Sequence, residues 1–155
     1  MAGDWEGDLI KGAGNASSVG TLAERKTRYL ILTKMKDATA DTALSSFSSG
    51  LSKVPKRMRI SMTYDQGKEM ARHVELANKL KIKVYFCDPQ SPWQRGSNEN
   101  TNRLLRDYFP KGTDLSVHSQ KKLDWVAREL NERPRKTLEY ETPAARFNAC
   151  VALTS

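Results

Sequence analysis

The apolar positions change period along the chain, and each change marks an element. Trp5 to Ile10 reads as a short strand, and a Gly/Asn/Ser-rich turn follows from Gly12 to Ser17. Ser18 to Glu24 and Tyr29 to Met35 predict two more strands, rich in β-branched and aromatic residues. The polar link Arg25-Lys26-Thr27-Arg28 is short enough for a hairpin. Ala40, Ala43, Leu44, Phe47 and Leu51 then recur at helical spacing, until Pro55 ends the run. Met58, Ile60, Met62 and Tyr64 alternate, which predicts a fourth strand, and Asp65-Gln66-Gly67 a turn after it. Met70, Val74 and Ala77 predict a second helix, and Ile82 to Cys87 a fifth strand, followed by a loop marked by Pro89 and Pro92. Ser97 is placed to cap a third helix running to about Tyr108, which Pro110 and Gly112 stop. Ser119 can cap a fourth, with Leu123, Val126, Ala127 and Leu130 on its buried face and Pro134 beyond its end. Thr142-Pro143 is the start signal of a last short helix. The predicted order is β-β-β-α-β-α-β-α-α-α. Three antiparallel strands followed by strands separated by helices imply an α/β fold with a mixed five-stranded sheet and helices on both faces.

The chain has 155 residues, one ordinary domain (1–155) with no internal repeat or low-complexity linker. No apolar run approaches the roughly 20 residues that span a bilayer; the longest, Tyr29-Leu30-Ile31-Leu32, suits a buried strand. No membrane partner is expected. Lys and Arg outnumber Asp and Glu, 26 to 18, for a formal charge of +8. That charge fits a polyanionic partner such as a phosphate backbone, and equally a basic protein without one. The two cysteines, Cys87 and Cys150, lack CxxC spacing, which argues against a zinc site or disulfide framework and for a reducing, cytoplasmic setting. No signal peptide is visible, and Met1-Ala2-Gly3 ahead of a strand reads as a start trimmed from something longer.

Three carboxylates fall where a mixed sheet gathers its ligands. Asp8 lies inside the first strand, Asp65 at the end of the fourth, and Glu99 in the first turn of the third helix. A carboxylate inside a covered strand needs a partner. Divalent cations are one: Mg²⁺ takes hard oxygen ligands and keeps several waters, so one or two carboxylates per ion suffice. Each acid also has a plain reading. Asp65 suits a turn, Glu99 complements a helix N-terminus, and Asp8 could pair with a Lys or Arg.

The words around the acids carry more. Trp5-Glu6-Gly7-Asp8-Leu9-Ile10 resembles the first-aspartate motif of the insertion-sequence-thirty family of DDE transposases, and Tyr64-Asp65-Gln66-Gly67-Lys68-Glu69 resembles the second. The segment from Cys87 through Pro92-Trp93-Gln94-Arg95-Gly96-Ser97-Asn98-Glu99 to Asn102 resembles the third, with Asp65 and Glu99 34 positions apart. Downstream, Leu130-Asn131-Glu132-Arg133-Pro134-Arg135-Lys136-Thr137-Leu138 and Thr142-Pro143 resemble the family's tail. The resemblance runs from Trp5 to Phe147; Lys11 departs from it, standing where an apolar residue is expected. It implies a ribonuclease H-like integrase core that uses Mg²⁺ or Mn²⁺, two ions in the active complex. It implies DNA strand cleavage and strand transfer at transposon ends and target, with Asp8, Asp65 and Glu99 as the catalytic and metal-binding triad. A homo-oligomeric active complex, associated with the bacterial nucleoid when bound to DNA, is expected with it. The family's N-terminal helix-turn-helix region has no counterpart in this sequence. A ribonuclease H-type nuclease on the same fold, or a catalytically silent DNA-binding module, are the alternatives.

Glu99, Asn102, Arg103 and Arg106 share one helix face, a candidate DNA track or a solvated basic face. Arg95 and Asn98 are candidate DNA contacts just before it, and Trp93 a stacking platform or loop anchor. Glu69 and His73 stand i, i+4 behind the second aspartate, as a surface pair or a water-orienting one, with Lys68 beside them. Glu6 alternates with Asp8 onto the same strand face, either supporting the site or forming a salt bridge. Met58, Met62 and Met70 read as core.

Overall fold

The first strand carries apolar residues on both faces, Trp5 and Leu9 on one and Ile10 on the other, and lies inside a sheet covered on both sides. The computed structural model describes residues 2–64, 68–87 and 96–154, without the side chains of residues 68, 96–99 and 154. The first strand, β1 (Asp4–Lys11), is the middle of a five-stranded sheet ordered β3-β2-β1-β4-β5. β2 (Ser18–Glu24) and β3 (Leu30–Met35) follow it as antiparallel neighbours, whereas β4 (Ser61–Tyr64) and β5 (Lys83–Phe86) add in parallel on the other side. The helices are α1 (Ala40–Ser52), α2 (His73–Leu80), α3 (Gly96–Leu105), α4 (Gln120–Asn131) and α5 (Pro143–Thr154). The element order is the predicted one. No helix among the described residues is long and apolar enough to cross a membrane.

Alternation along β1 feeds two cores. Trp5 and Leu9 point to one face, where Ala43, Phe47 and Leu51 of α1, Leu76 and Leu80 of α2 and Phe147 of α5 pack on them. Met58, Met62 and Met70 lie in this core as expected. Ile10 points to the other face, with Val19, Leu30 and Leu32, under Leu105 of α3 and Leu123, Val126 and Leu130 of α4. Glu6 and Asp8 alternate in step with Ile10, so they lie on the α3/α4 face. Gly7 fits between them because a Cβ there would stand 2.4 Å from Met62 Cε and 2.9 Å from the Tyr64 ring. The β2–β3 hairpin is closed by a buried carboxylate: Glu24 accepts from the backbone N–H of Gly3, Lys26 and Thr27 and from the Thr27 hydroxyl.

Ser119 caps α4 by accepting from Lys122 N, and Thr142 Oγ1 accepts from Ala145 N at the start of α5, both as the sequence signals. Some boundaries differ. β4 starts only at Ser61, because Pro55 opens a 3₁₀ turn (Lys56–Met58) in which Met58 N donates to Pro55 O. Gly96 is already helical, so Ser97 lies inside α3, which ends at Leu105 rather than near Tyr108. The second helix begins afresh at His73 after a 3₁₀ turn at Lys68–Met70, which turns Leu76 and Leu80 inward and leaves Val74 58% exposed. The last helix, α5, is twelve residues long rather than short.

Candidate active site

β1 and β4 run parallel as neighbours, with Glu6 opposite Thr63. Both therefore deliver their C-terminal ends to the same edge of the sheet, where side chains from adjacent strands can meet. Asp8 stands at this end of β1, partly exposed between the buried Gly7 and Leu9. Tyr64 is the last residue of β4, directly before Asp65, and Asp65 itself lies outside the described residues.

The Asp8 carboxylate is fixed at both oxygens. Oδ1 accepts from the Leu9 backbone N–H at 2.8 Å, and Oδ2 accepts from the Asn102 side-chain amide at 2.9 Å. The Thr21 hydroxyl on the neighbouring strand donates to the Asp8 carbonyl at 3.3 Å. Asn102 belongs to α3, one turn after Glu99, so the helix that carries the third acid leans on the strand that carries the first. The side chains of Glu99 and Asn98, and all of Trp93 and Arg95, lie outside the described residues. Among the described residues no group of three His, Cys, Asp or Glu gathers to hold a metal. The chemistry of the donors nevertheless suits a hard cation. Asp8 presents a partly exposed carboxylate, and a carboxylate oxygen has more than one acceptor direction, so a hydrogen bond and a cation can share it.

The other candidates fall in several places. Arg103 is exposed and donates to Asn100 Oδ1, and with Lys111 it rims a groove beside α3. Arg106 is partly buried and reaches backbone carbonyls, with Nη1 and Nη2 both 3.2 Å from Lys11 O and Nη1 also 3.3 Å from Phe109 O. Glu6 is 1% exposed and pairs with Arg25, Nε to Oε1 3.5 Å. Glu69 and His73 do not share a helix. Glu69 accepts from the Tyr64 hydroxyl at 3.0 Å, whereas His73 packs edge-on against Phe86. Neither Cys87 nor Cys150 is in a disulfide. Sequence reasoning missed the role of Asn131, at the end of α4. Its side chain accepts from Leu30 N at 2.8 Å and donates to Leu30 O at 2.9 Å, closing the edge of β3. Only its place in the tail motif hinted at it.

Residues 2–92 match the family model described as "Integrase core domain". The chain is 60% identical over 143 residues to the transposase for insertion sequence element IS1086 of Cupriavidus metallidurans, covering 92% of this chain and 42% of that protein. It is 48% identical over 152 residues to transposase InsI for insertion sequence element IS30A of Escherichia coli, covering 98% of this chain and 39% of that protein. The chain thus spans less than half the length of these relatives. Among solved structures, the catalytic core domain of BIV integrase superposes with a TM-score of 0.71 at 16% identity, over 98% of this chain and 97% of that one. That likeness bears out the ribonuclease H-like fold, and the transposase relatives bear out the resemblance to the insertion-sequence-thirty family. With its family model matched over more than half its length, this chain belongs to the integrase core domain family.

Proposed function

We propose that this chain is the catalytic domain of an insertion-sequence transposase, which cleaves DNA strands and joins them to target DNA. The observation that carries the reading is the Asn102–Asp8 hydrogen bond, which ties the helix bearing Glu99 to the strand bearing Asp8 at the sheet edge where β4 leads into Asp65. Asp8, Asp65 and Glu99 are the residues that would hold Mg²⁺ or Mn²⁺, two ions in the active complex. When bound, such ions activate an attacking hydroxyl and stabilise the leaving oxygen in an in-line displacement at phosphorus. The chain's own part is to fix the carboxylates. Asp8 is immobilised by Leu9 N and Asn102, so little reorganisation is needed as substrate arrives.

The partner is DNA, both element ends and target, held largely through phosphate by the basic surface. Arg95, Asn98, Asn102, Arg103 and Arg106 are the proposed contacts. The active complex is a homo-oligomer acting on the nucleoid in the cytoplasm. The test is cleavage and joining of element-end DNA by the full-length protein. Asp65→Asn removes a charge without changing shape, and an amide is a poorer ligand than a carboxylate. It abolishes both steps and leaves DNA binding near normal; Asp8→Asn and Glu99→Gln behave alike and do not add. Near wild-type cutting by any one of the three removes that residue from the site.

A further inference from the structure

We infer that Arg133 and Arg135, with Arg28 beside them, form a second phosphate site, remote from Asp8, that takes the backbone of bound DNA. Arg135 is the unusual residue. It is 8% exposed, yet its side chain makes a single hydrogen bond, from Nη2 to Leu130 O at 3.2 Å. Its Nε is buried without a hydrogen-bond partner among the described residues. A buried charge is expensive unless it is paired. Here the neighbours add to the cost: Arg133 and Arg28 are cations too, and after burial itself their charges push the Arg135 pKa down. Among the described residues no carboxylate forms an ion pair with Arg133 or Arg135. A buried guanidinium crowded by two more is a place prepared for an anion.

The backbone pins the arginines there. Arg135 N donates to Glu141 O at 2.9 Å, and Arg135 O accepts from Leu138 N at 3.0 Å and Tyr140 N at 2.7 Å. Pro134 biases Arg133 to an extended backbone, and Arg135 is itself extended, at φ −119° and ψ 130°. Residues two apart in an extended chain lean to the same side, which brings Arg133 to Arg135. Arg28 arrives from the β2–β3 turn with φ at 65°, a left-handed conformation that Gly or Asn adopts with less strain. Beyond the arginines the surface keeps the same character. Arg133 Nη2 donates to the Tyr108 hydroxyl at 3.2 Å, Tyr108 meets the Trp125 ring edge-on, and Lys122 Nζ stands 4.4 Å over that ring. Trp125 is 44% exposed. Cations interleaved with aromatic rings are what a nucleic-acid surface offers. The turn carrying Arg28 lies at the N-terminal end of β1, where Arg25 N donates to Asp4 O, whereas Asp8 stands toward the other end. DNA as the source of the phosphate rests on the proposed function; the anion chemistry does not.

The experiment uses the 155-residue chain with Arg133→Gln and Arg135→Gln. Inorganic phosphate, titrated against chloride at constant ionic strength, raises the wild-type melting temperature by about 3–6 °C at ten times its dissociation constant. Phosphate also stabilises folded proteins in general by exclusion from their surface, so the part of the rise that the variants lose is what reports the site. Both variants lose the saturable rise. On duplex DNA, each flattens the slope of log affinity against log salt by about 0.9, the signature of one lost phosphate contact. Arg133 is exposed, so its variant decides the matter where Arg135→Gln fails to fold. The site is overturned if phosphate stabilises Arg133→Gln as much as wild type. Its assignment to DNA is overturned if the phosphate response is lost while the salt slope stays that of wild type, which marks a site for free phosphate only. A wild-type chain that binds no duplex refutes the functional proposal instead, and the phosphate melt then decides the site alone.

Discussion

Replacing Asn131 by Leu keeps the bulk of the side chain and removes both of its hydrogen bonds to the Leu30 backbone. β3 is an edge strand, so Leu30 N and O have no neighbouring strand on that side. Asn131, 5% exposed, supplies the missing donor and acceptor across 101 residues of sequence. Each buried backbone group left unsatisfied costs about 1–3 kcal/mol, so two cost about 2–6 kcal/mol. A groove lined by Tyr29, Leu30, Lys53, Arg128 and Asn131 runs alongside, and water entering it would partly replace the lost partners. The low half of the range therefore applies, about 2–4 kcal/mol, or roughly 4–16 °C in melting temperature for a domain of this size. Urea unfolding of the metal-free chain measures it directly. Asn131→Asp, which keeps the acceptor and faces Leu30 O with an oxygen, is at least as damaging. A loss under about 0.5 kcal/mol for Asn131→Leu, the level of an ordinary surface substitution, refutes the argument that this amide closes the sheet edge.

Gly7→Ala forces a methyl against Met62 and the Tyr64 ring and lowers stability by about 1–3 kcal/mol in the same unfolding assay. Asp37 accepts from Thr39 and Thr42, which hold its carboxyl at about 2. A depressed folded-state value gives stability that is present at neutral pH and fades as pH falls from about 4 towards 2. The stability gap between wild type and Asp37→Asn should therefore shrink over that window, and a gap constant with pH contradicts it. Arg103→Gln should reduce the slope of log affinity for duplex DNA against log salt by about 0.9, measured by fluorescence anisotropy, and an unchanged slope removes Arg103 from the phosphate contacts.

The order of elements was legible because it rests on period alone. Ala43, Phe47 and Leu51 can be buried together only on a helix, and the alternation of Trp5, Leu9 and Ile10 around Asp8 only in a strand covered on both faces. Boundaries were lost where two signals overlap. Met58 keeps the alternating pattern of β4, yet Pro55 starts a 3₁₀ turn in which Met58 takes part. Met70 and Val74 have helical spacing, yet the chain turns at 71–72, so the helix restarts with another face inward. Asp8 was legible as a candidate because charge inside a covered strand is conspicuous. The contacts of Asn102, Arg106 and Asn131 were not. Each acts on a partner about a hundred residues away, and for Arg106 and Asn131 that partner is backbone, which carries no residue-type signal. An Asn or Arg on a helix face near a carboxylate looks the same in sequence whether it faces a nucleic acid or the protein's own strand.

The central claim is that Asp8 and Asp65 hold one metal centre together. Anomalous diffraction from crystals of the chain soaked in Mn²⁺ tests it most directly. A Mn²⁺ peak beside both carboxylates is the expected result, with Asn102 still donating to Asp8. A peak that touches neither aspartate, or carboxylates of Asp8 and Asp65 on opposite faces of the sheet, contradicts it.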